Sequence, residues 1–213
     1  MSRPHRIPFP ARSFVNSCPL TPRAIGEVEG SAKEWIMRLL GAVLAGGRSS
    51  RFGSDKALAL MPDGRMLIDH AVAAIAPHVE AVVVCGRAVE GLTSLSDRPA
   101  ADMGPLGGLN AALHHARDEG YDAVLTTGCD MPVYPAALME ALAGEDAAVL
   151  KGQQLAGFWP ARLADELDAH LAEENSRSIF GWLERIGARI VERADIVLPN
   201  INRPQDIAGL PKN

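Results

Sequence analysis

The chain has 213 residues, 47% of them hydrophobic and 22% charged, with a formal net charge of -5. That is the profile of one folded domain with at most a loose extension; a chain of this size buries roughly 70% of its unfolded surface and needs no disulfide or metal to hold a core. It lacks an apolar run of about 20 residues and a basic segment leading into a cleavable apolar one, three cysteines (Cys18, Cys85, Cys129) form no paired framework, and the acidic balance disfavours nucleic-acid backbones, so a cytoplasmic protein that binds neither membrane nor nucleic acid is expected.

Residues 1–36 hold five of the fifteen prolines and a charge of +2, which leaves -7 on residues 37–213. Proline at that density removes backbone donors and breaks helix and strand patterns alike. The segment reads as a flexible or non-native N-terminal extension, with three readings open: translation starting at Met37, a disordered arm, or a tail packed on the domain. The body follows. Residues 39–45 are a short apolar run closed by Gly46-Gly47, the pattern of a buried parallel strand. Ile68, Ala71, Val72 and Ile75 recur at helical spacing up to Pro77. Ala81–Cys85 is a second strand. Leu106, Leu109, Leu113 and Ala116 mark a helix ended by Gly120, and Ala123–Thr127 is a third strand. A helix around Pro135–Leu142, strands at Ala147–Leu150 and Leu155–Phe158, and a helix along Leu163, Leu167 and Leu171 come next. Ile179, Leu183 and Ile186 line another helix, Ala188–Val191 returns to strand, and a last helix is expected from Pro204 to Leu210.

Strands alternating with helices predict an α/β fold: a Rossmann-like, mostly parallel sheet with helices on both faces. Ligands of such sheets bind beyond the carboxyl ends of the strands, where strand order reverses. Three polar clusters fall at such ends. After Leu44 and Ala45 come Gly46, Gly47, Arg48, Arg51, Gly53 and Lys56; four cations oppose two acids over residues 48–65. Glycines there expose backbone N–H groups to an anion, and lysine is a compact charge for phosphate oxygens. The loop is neither a G-x-G-x-x-G fingerprint nor a P-loop. The second cluster holds Asp97, then Asp102 and Gly104-Pro105-Leu106-Gly107-Gly108; an aspartate here could accept ribose hydroxyls, and Asp102 could equally be a solvated turn residue. His114 and His115, adjacent on a helix, point apart and make a poor metal pair. The third cluster puts Asp130 at the end of a central strand, suited to one oxygen-loving cation such as Mg²⁺. Cys85 and Cys129 read as packing residues. Asn200 and Asn202 could order the site or hold a second ion through water, or Asn202 could cap the last helix.

Leu44–Lys56 (Leu-Ala-Gly-Gly-x-x-x-Arg-x-Gly-x-x-Lys), Gly104–Gly108, Cys129–Pro132 and Asn200–Asp206 in that order resemble the MobA-like nucleotidyltransferases, within the glycosyltransferase-A-like superfamily. The resemblance covers nearly all of residues 38–210. It implies transfer of GMP from GTP to the terminal phosphate of Mo-molybdopterin, with Mg²⁺ as cofactor, pyrophosphate as product, a monomer, and maturation proteins of molybdoenzymes as recipients. It places Leu44, Ala45, Gly46, Gly47, Lys56, Asp97 and Asp130 on the nucleotide, Asp130 on the metal, and Lys56, Arg51 and Asp130 in catalysis. The family often carries Asn after the second strand, where this chain has Cys85-Gly86. Cytidylyl transfer to the same acceptor, transfer to a sugar phosphate, and non-catalytic nucleotide binding are the alternatives. The catalytic reading requires a cation on Asp130 to face the anion cradle of residues 46–56 across a triphosphate-sized gap.

Overall fold

A computed structural model describes residues 37–46, 56–173, 177–201 and 206. The expected N-terminal extension, the body of the glycine loop with Gly47 and Arg51, and all of the expected last helix but Asp206 lie outside the described residues.

Seven strands form one sheet: β1 (Leu39–Leu44), β2 (Ala81–Cys85), β3 (Thr93–Leu95), β4 (Ala123–Gly128), β5 (Ala148–Leu150), β6 (Gln153–Pro160) and β7 (Arg189–Val191). Their order is β3-β2-β1-β4-β6-β5-β7. The β1–β2, β1–β4, β2–β3 and β5–β7 pairs are parallel; β6 runs antiparallel to both β4 and β5. Among the described residues, five helices connect them: α1 (Leu67–Ile75), α2 (Pro105–Asp118), α3 (Ala136–Leu142), α4 (Ala164–Ala172) and α5 (Ile179–Arg185). None of the described helices is long and apolar enough to cross a membrane.

Period-two alternation splits the core between the two faces of the sheet. Val43, Val84, Leu125, Ala148 and Phe158 face α1 and α3. Leu40, Ala42, Val83, Val124, Val149 and Trp159 face α2, α4 and α5. Because both faces are covered, the central strands β1 and β4 carry no charged residue and are mainly apolar, which made them readable. Trp159 can be buried because its indole donates to Thr126 Oγ1 at 2.9 Å, which also settles a hydroxyl inside β4.

Local chemistry sets the helix ends. Asp69 accepts from the Met66 backbone N–H at 3.1 Å and so caps α1. Pro105 opens α2 behind Gly104, which takes φ 70, and Gly120 at φ 75 lies beyond its end. One strand escaped the sequence reading and another is longer than expected. β3 is a three-residue edge strand, Thr-Ser-Leu, with no apolar run to announce it. β6 extends from Gln153 to Pro160 rather than over four residues, because its polar start pairs with β5 at a register shift.

Candidate active site

Chain connectivity runs from β1 out to β2 on one side and places β4 on the other, so strand order reverses between β1 and β4. A crevice beyond their carboxyl ends is the usual ligand position of an open α/β sheet. Two charged side chains meet there. Lys56, at the start of a short 3-10 turn (Lys56–Leu58), places Nζ 2.8 Å from Asp130 Oδ2. Their side chains are only 12% and 20% exposed, so each is a poorly hydrated charge compensated by the other. These two residues are in direct contact, and the rest of the cradle expected to face Asp130 across a triphosphate-sized gap, residues 47–55, lies outside the described residues.

The turn that presents Asp130 is held on two sides. Cys129 donates its backbone N–H to Leu44 O at 3.2 Å, tying the end of β4 to the end of β1. Ile201 donates to Asp130 O at 3.0 Å, which brings the C-terminal asparagine stretch beside the same residue. Gly128 makes room: a Cβ there would lie 2.5 Å from Asp130 Oδ1. Asn200 Oδ1 is buried with no hydrogen-bond partner among the described residues. A carboxylate seated over a glycine, with a buried amide oxygen on the neighbouring segment, is a donor set that suits a hard divalent cation.

The nucleotide residues expected on the other side of β1 gather at the ends of β1, β2 and β3. Ala45 donates its N–H to Cys85 O at 2.9 Å and accepts from Arg87 Nε at 3.1 Å. Gly46 packs backbone to backbone against Gly86, which adopts φ 83; a Cβ on Gly86 would fall 2.5 Å from Gly46 Cα. Asp97 lies across from them, its carboxylate oxygens 3.8 Å from where a Gly46 Cβ would stand and its Cβ 3.0 Å from that of a substituted Gly107. Burial, opposed by a hydrogen bond from the Met103 backbone and reinforced by the Asp102 charge, raises the Asp97 carboxyl above its ordinary value. Asp102 itself is an exposed turn residue at φ 60. Cys85 is 1% exposed and burial pushes its thiol up to about 12, so it is inert packing; Cys129 is partly buried against the core on the α1 face.

Thus Leu44, Ala45, Gly46 and Asp97 flank one side of the β1 end, and Lys56 and Asp130 the other. Sequence reasoning missed Gly86 and Arg87, although a glycine directly after a strand is the signal for close backbone approach. Gly86→Ala is expected to lower the melting temperature by several degrees and weaken nucleotide binding, since the methyl meets both a left-handed φ and the Gly46 backbone. Thermal unfolding and a nucleotide titration check this; an unchanged variant would contradict the packing described.

A second polar group lies between α2 and α4. His114, Asp165 and Asp168 bring one metal-competent atom each within 4.8 Å of one another. Their atoms already serve each other: His114 Nε2 is 2.8 Å from Asp168 Oδ2, and Asn110 Nδ2 donates to Asp168 Oδ1 at 2.6 Å. Arg117 donates to Asp165 Oδ1 at 2.7 Å and lies 3.0 Å from His114 Nδ1. Arginine can only donate, so Nδ1 accepts and Nε2–H faces Asp168. The guanidinium supplies the cation of this cluster, which straps α4 to α2. Unlike His115, His114 is nearly buried.

Fold and site together define an α/β nucleotide-binding protein with a lysine–aspartate pair at its topological switch point. Comparison with known proteins gives the family: the MobA-like NTP transferase domain matches residues 41–186, and the chain belongs to that family. It is 33% identical over 193 residues to a molybdenum cofactor guanylyltransferase of Sinorhizobium fredii, covering 78% of this chain and 87% of the relative. Another relative of that name, from Cereibacter sphaeroides, is 33% identical, with 81% and 95% covered. The fold is shared with the molybdopterin-guanine dinucleotide biosynthesis protein A of Archaeoglobus fulgidus, at a TM-score of 0.64 and 24% identity, over 80% of this chain and 95% of that one.

Proposed function

We propose that this protein transfers GMP from GTP to the terminal phosphate of Mo-molybdopterin and releases pyrophosphate. The observation that carries the reading is the Lys56–Asp130 pair at the β1/β4 switch point, in a chain one third identical to relatives named molybdenum cofactor guanylyltransferase.

In this reading an oxygen of the acceptor phosphate attacks the α-phosphorus of GTP, a new P–O bond forms, and the bond to the β-phosphate oxygen breaks. The attacking group is an anion already, so no strong general base is required. The obstacle is repulsion between anions, and the remedy is fixed positive charge. Lys56 Nζ binds and orients phosphate oxygens and takes up charge gathering on the departing pyrophosphate. Arg51 and the amides of Gly46 and Gly47 add donors along the same polyphosphate. Asp130 and the Asn200 amide are the groups to hold Mg²⁺, which when bound neutralises phosphate oxygens as a Lewis acid. Asp97 orients the nucleoside, and closely packed Gly46 and Gly86 let it approach the ends of β1 and β2.

Incubation with Mo-molybdopterin, Mg²⁺ and each nucleoside triphosphate in turn tests the reading. The expected result is a guanylyl adduct by mass, with one pyrophosphate per adduct. A cytidylyl adduct, or pyrophosphate release only with a sugar phosphate, would contradict it.

A further inference from the structure

Helix α2 carries two polar side chains inside the protein: Asn110 is fully buried and His114 nearly so. A spacing of four puts them on one face, and both donate to the same acceptor, Asp168 of α4. Asn110 Nδ2 meets Oδ1 at 2.6 Å, and His114 Nε2–H meets Oδ2 at 2.8 Å. Arg98 Nη2 lies 3.9 Å from Oδ2. Burial would raise this carboxyl, but the hydrogen bond from Asn110, with His114 and Arg98 behind it, holds it below the usual carboxylate range. Stability alone does not explain the strap. Asn110 Oδ1 is buried with no hydrogen-bond partner among the described residues, and an apolar side chain of the same outline would remove that cost. What a directional polar contact adds over an apolar one is a fixed register of α2 against α4.

That register matters at the strand ends. Gly107 and Gly108, in the turn of α2 just before Asn110, pack there without side chains. A Cβ on Gly107 would fall 3.0 Å from Asp97 Cβ, and one on Gly108 3.0 Å from Cys85 Cβ. Gly107 O also accepts from the Arg98 N–H at 3.1 Å. Asp97 is thus seated against α2 on one side and Gly46 on the other, while its chain neighbour Arg98 reaches back toward Asp168. A slide of α2 along its axis would carry Asp97 with it, and Asp168 is the group that opposes the slide.

We propose that Asp168 is a positioning residue: through Asn110 and His114 it fixes α2 and so holds Asp97 beside Gly46. The inference rests on the guanylyl-transfer reading, in which Asp97 orients the nucleoside. Calorimetric titration with GTP and with inorganic tripolyphosphate, Mg²⁺ present, compares the wild type with Asp168→Asn, Asn110→Leu and Asp97→Asn. Each strap variant is also combined with Asp97→Asn. Asn110→Leu keeps the branched outline and removes the orphan carbonyl, so its melting temperature should stay within about 3 °C of the wild type. Both strap variants should nonetheless weaken GTP at least about 5-fold and leave tripolyphosphate within about 2-fold. On the Asp97→Asn background they should weaken GTP by less than about 2-fold more, because the group they position has already lost its charge. A role in the fold alone would weaken both ligands alike or neither, and its penalty would multiply with that of Asp97→Asn; either result overturns the proposal. Unchanged GTP affinity in Asp97→Asn overturns it too. Turnover separates the two readings: coupling without a guanylyl adduct refutes the proposed function and leaves the role of Asp168 standing, and an adduct without coupling refutes only the role of Asp168.

Discussion

Asp130→Asn is expected to lower the rate of nucleotidyl transfer at least about 100-fold. The substitution preserves volume over Gly128, where no Cβ obstructs Oδ1, and keeps an oxygen within reach of Lys56. It removes the charge. A neutral amide is a poor ligand for Mg²⁺, so the loss should be only partly recovered by raising Mg²⁺, and the metal requirement should shift to higher concentration. Lys56 then keeps a hydrogen-bond acceptor at the same place, although it loses the opposing charge. The melting temperature should accordingly fall by no more than a few degrees. Steady-state rates across a Mg²⁺ series, alongside thermal unfolding, separate the two effects. Near-normal turnover at saturating Mg²⁺ would remove Asp130 from the chemistry.

Lys56→Ala is expected to reduce kcat/KM for GTP by at least about 100-fold, again with the fold intact. A structural ion pair and a catalytic one respond differently to exchange of the partners. Double substitution of Lys56→Asp with Asp130→Lys restores opposite charges at the same place, so it should recover much of the stability either single variant loses. It should recover none of the activity, because the cation would stand at the end of β4 and the carboxylate where the polyphosphate must lie. Recovery of both would mark the 2.8 Å pair as a structural bridge only.

The sheet was legible because its central strands are buried on both faces and read as plain apolar runs; β1, β2 and β4 begin at the expected residues, and β4 ends one residue later. Reading the strand ends as the functional rim followed from that alone. What the rim does with its charges was not legible. Lys56 and Asp130 are separated by 74 positions, and no local period reports that two such residues touch. Likewise Arg87 reaches Ala45 across 42 positions, and His114 finds Asp168 across 54. Helical geometry correctly says that His114 and His115 diverge, but says nothing of a carboxylate arriving from α4. Edge strand β3 escaped because three half-polar residues carry no periodicity, and with it went the reason Asp97 stands beside Gly46: Gly86 donates to Leu95 O at 2.9 Å, and Asp97 follows two residues later.

Metal and polyphosphate are expected to meet at the β1/β4 crevice. Crystals grown with Mn²⁺ and a non-hydrolysable GTP analogue, measured at the manganese edge, test it in one difference map. The expected result is an anomalous peak within coordination distance of Asp130, with the triphosphate against Lys56. A peak at His114, Asp165 and Asp168 instead, or a triphosphate lying elsewhere on the sheet, would contradict it.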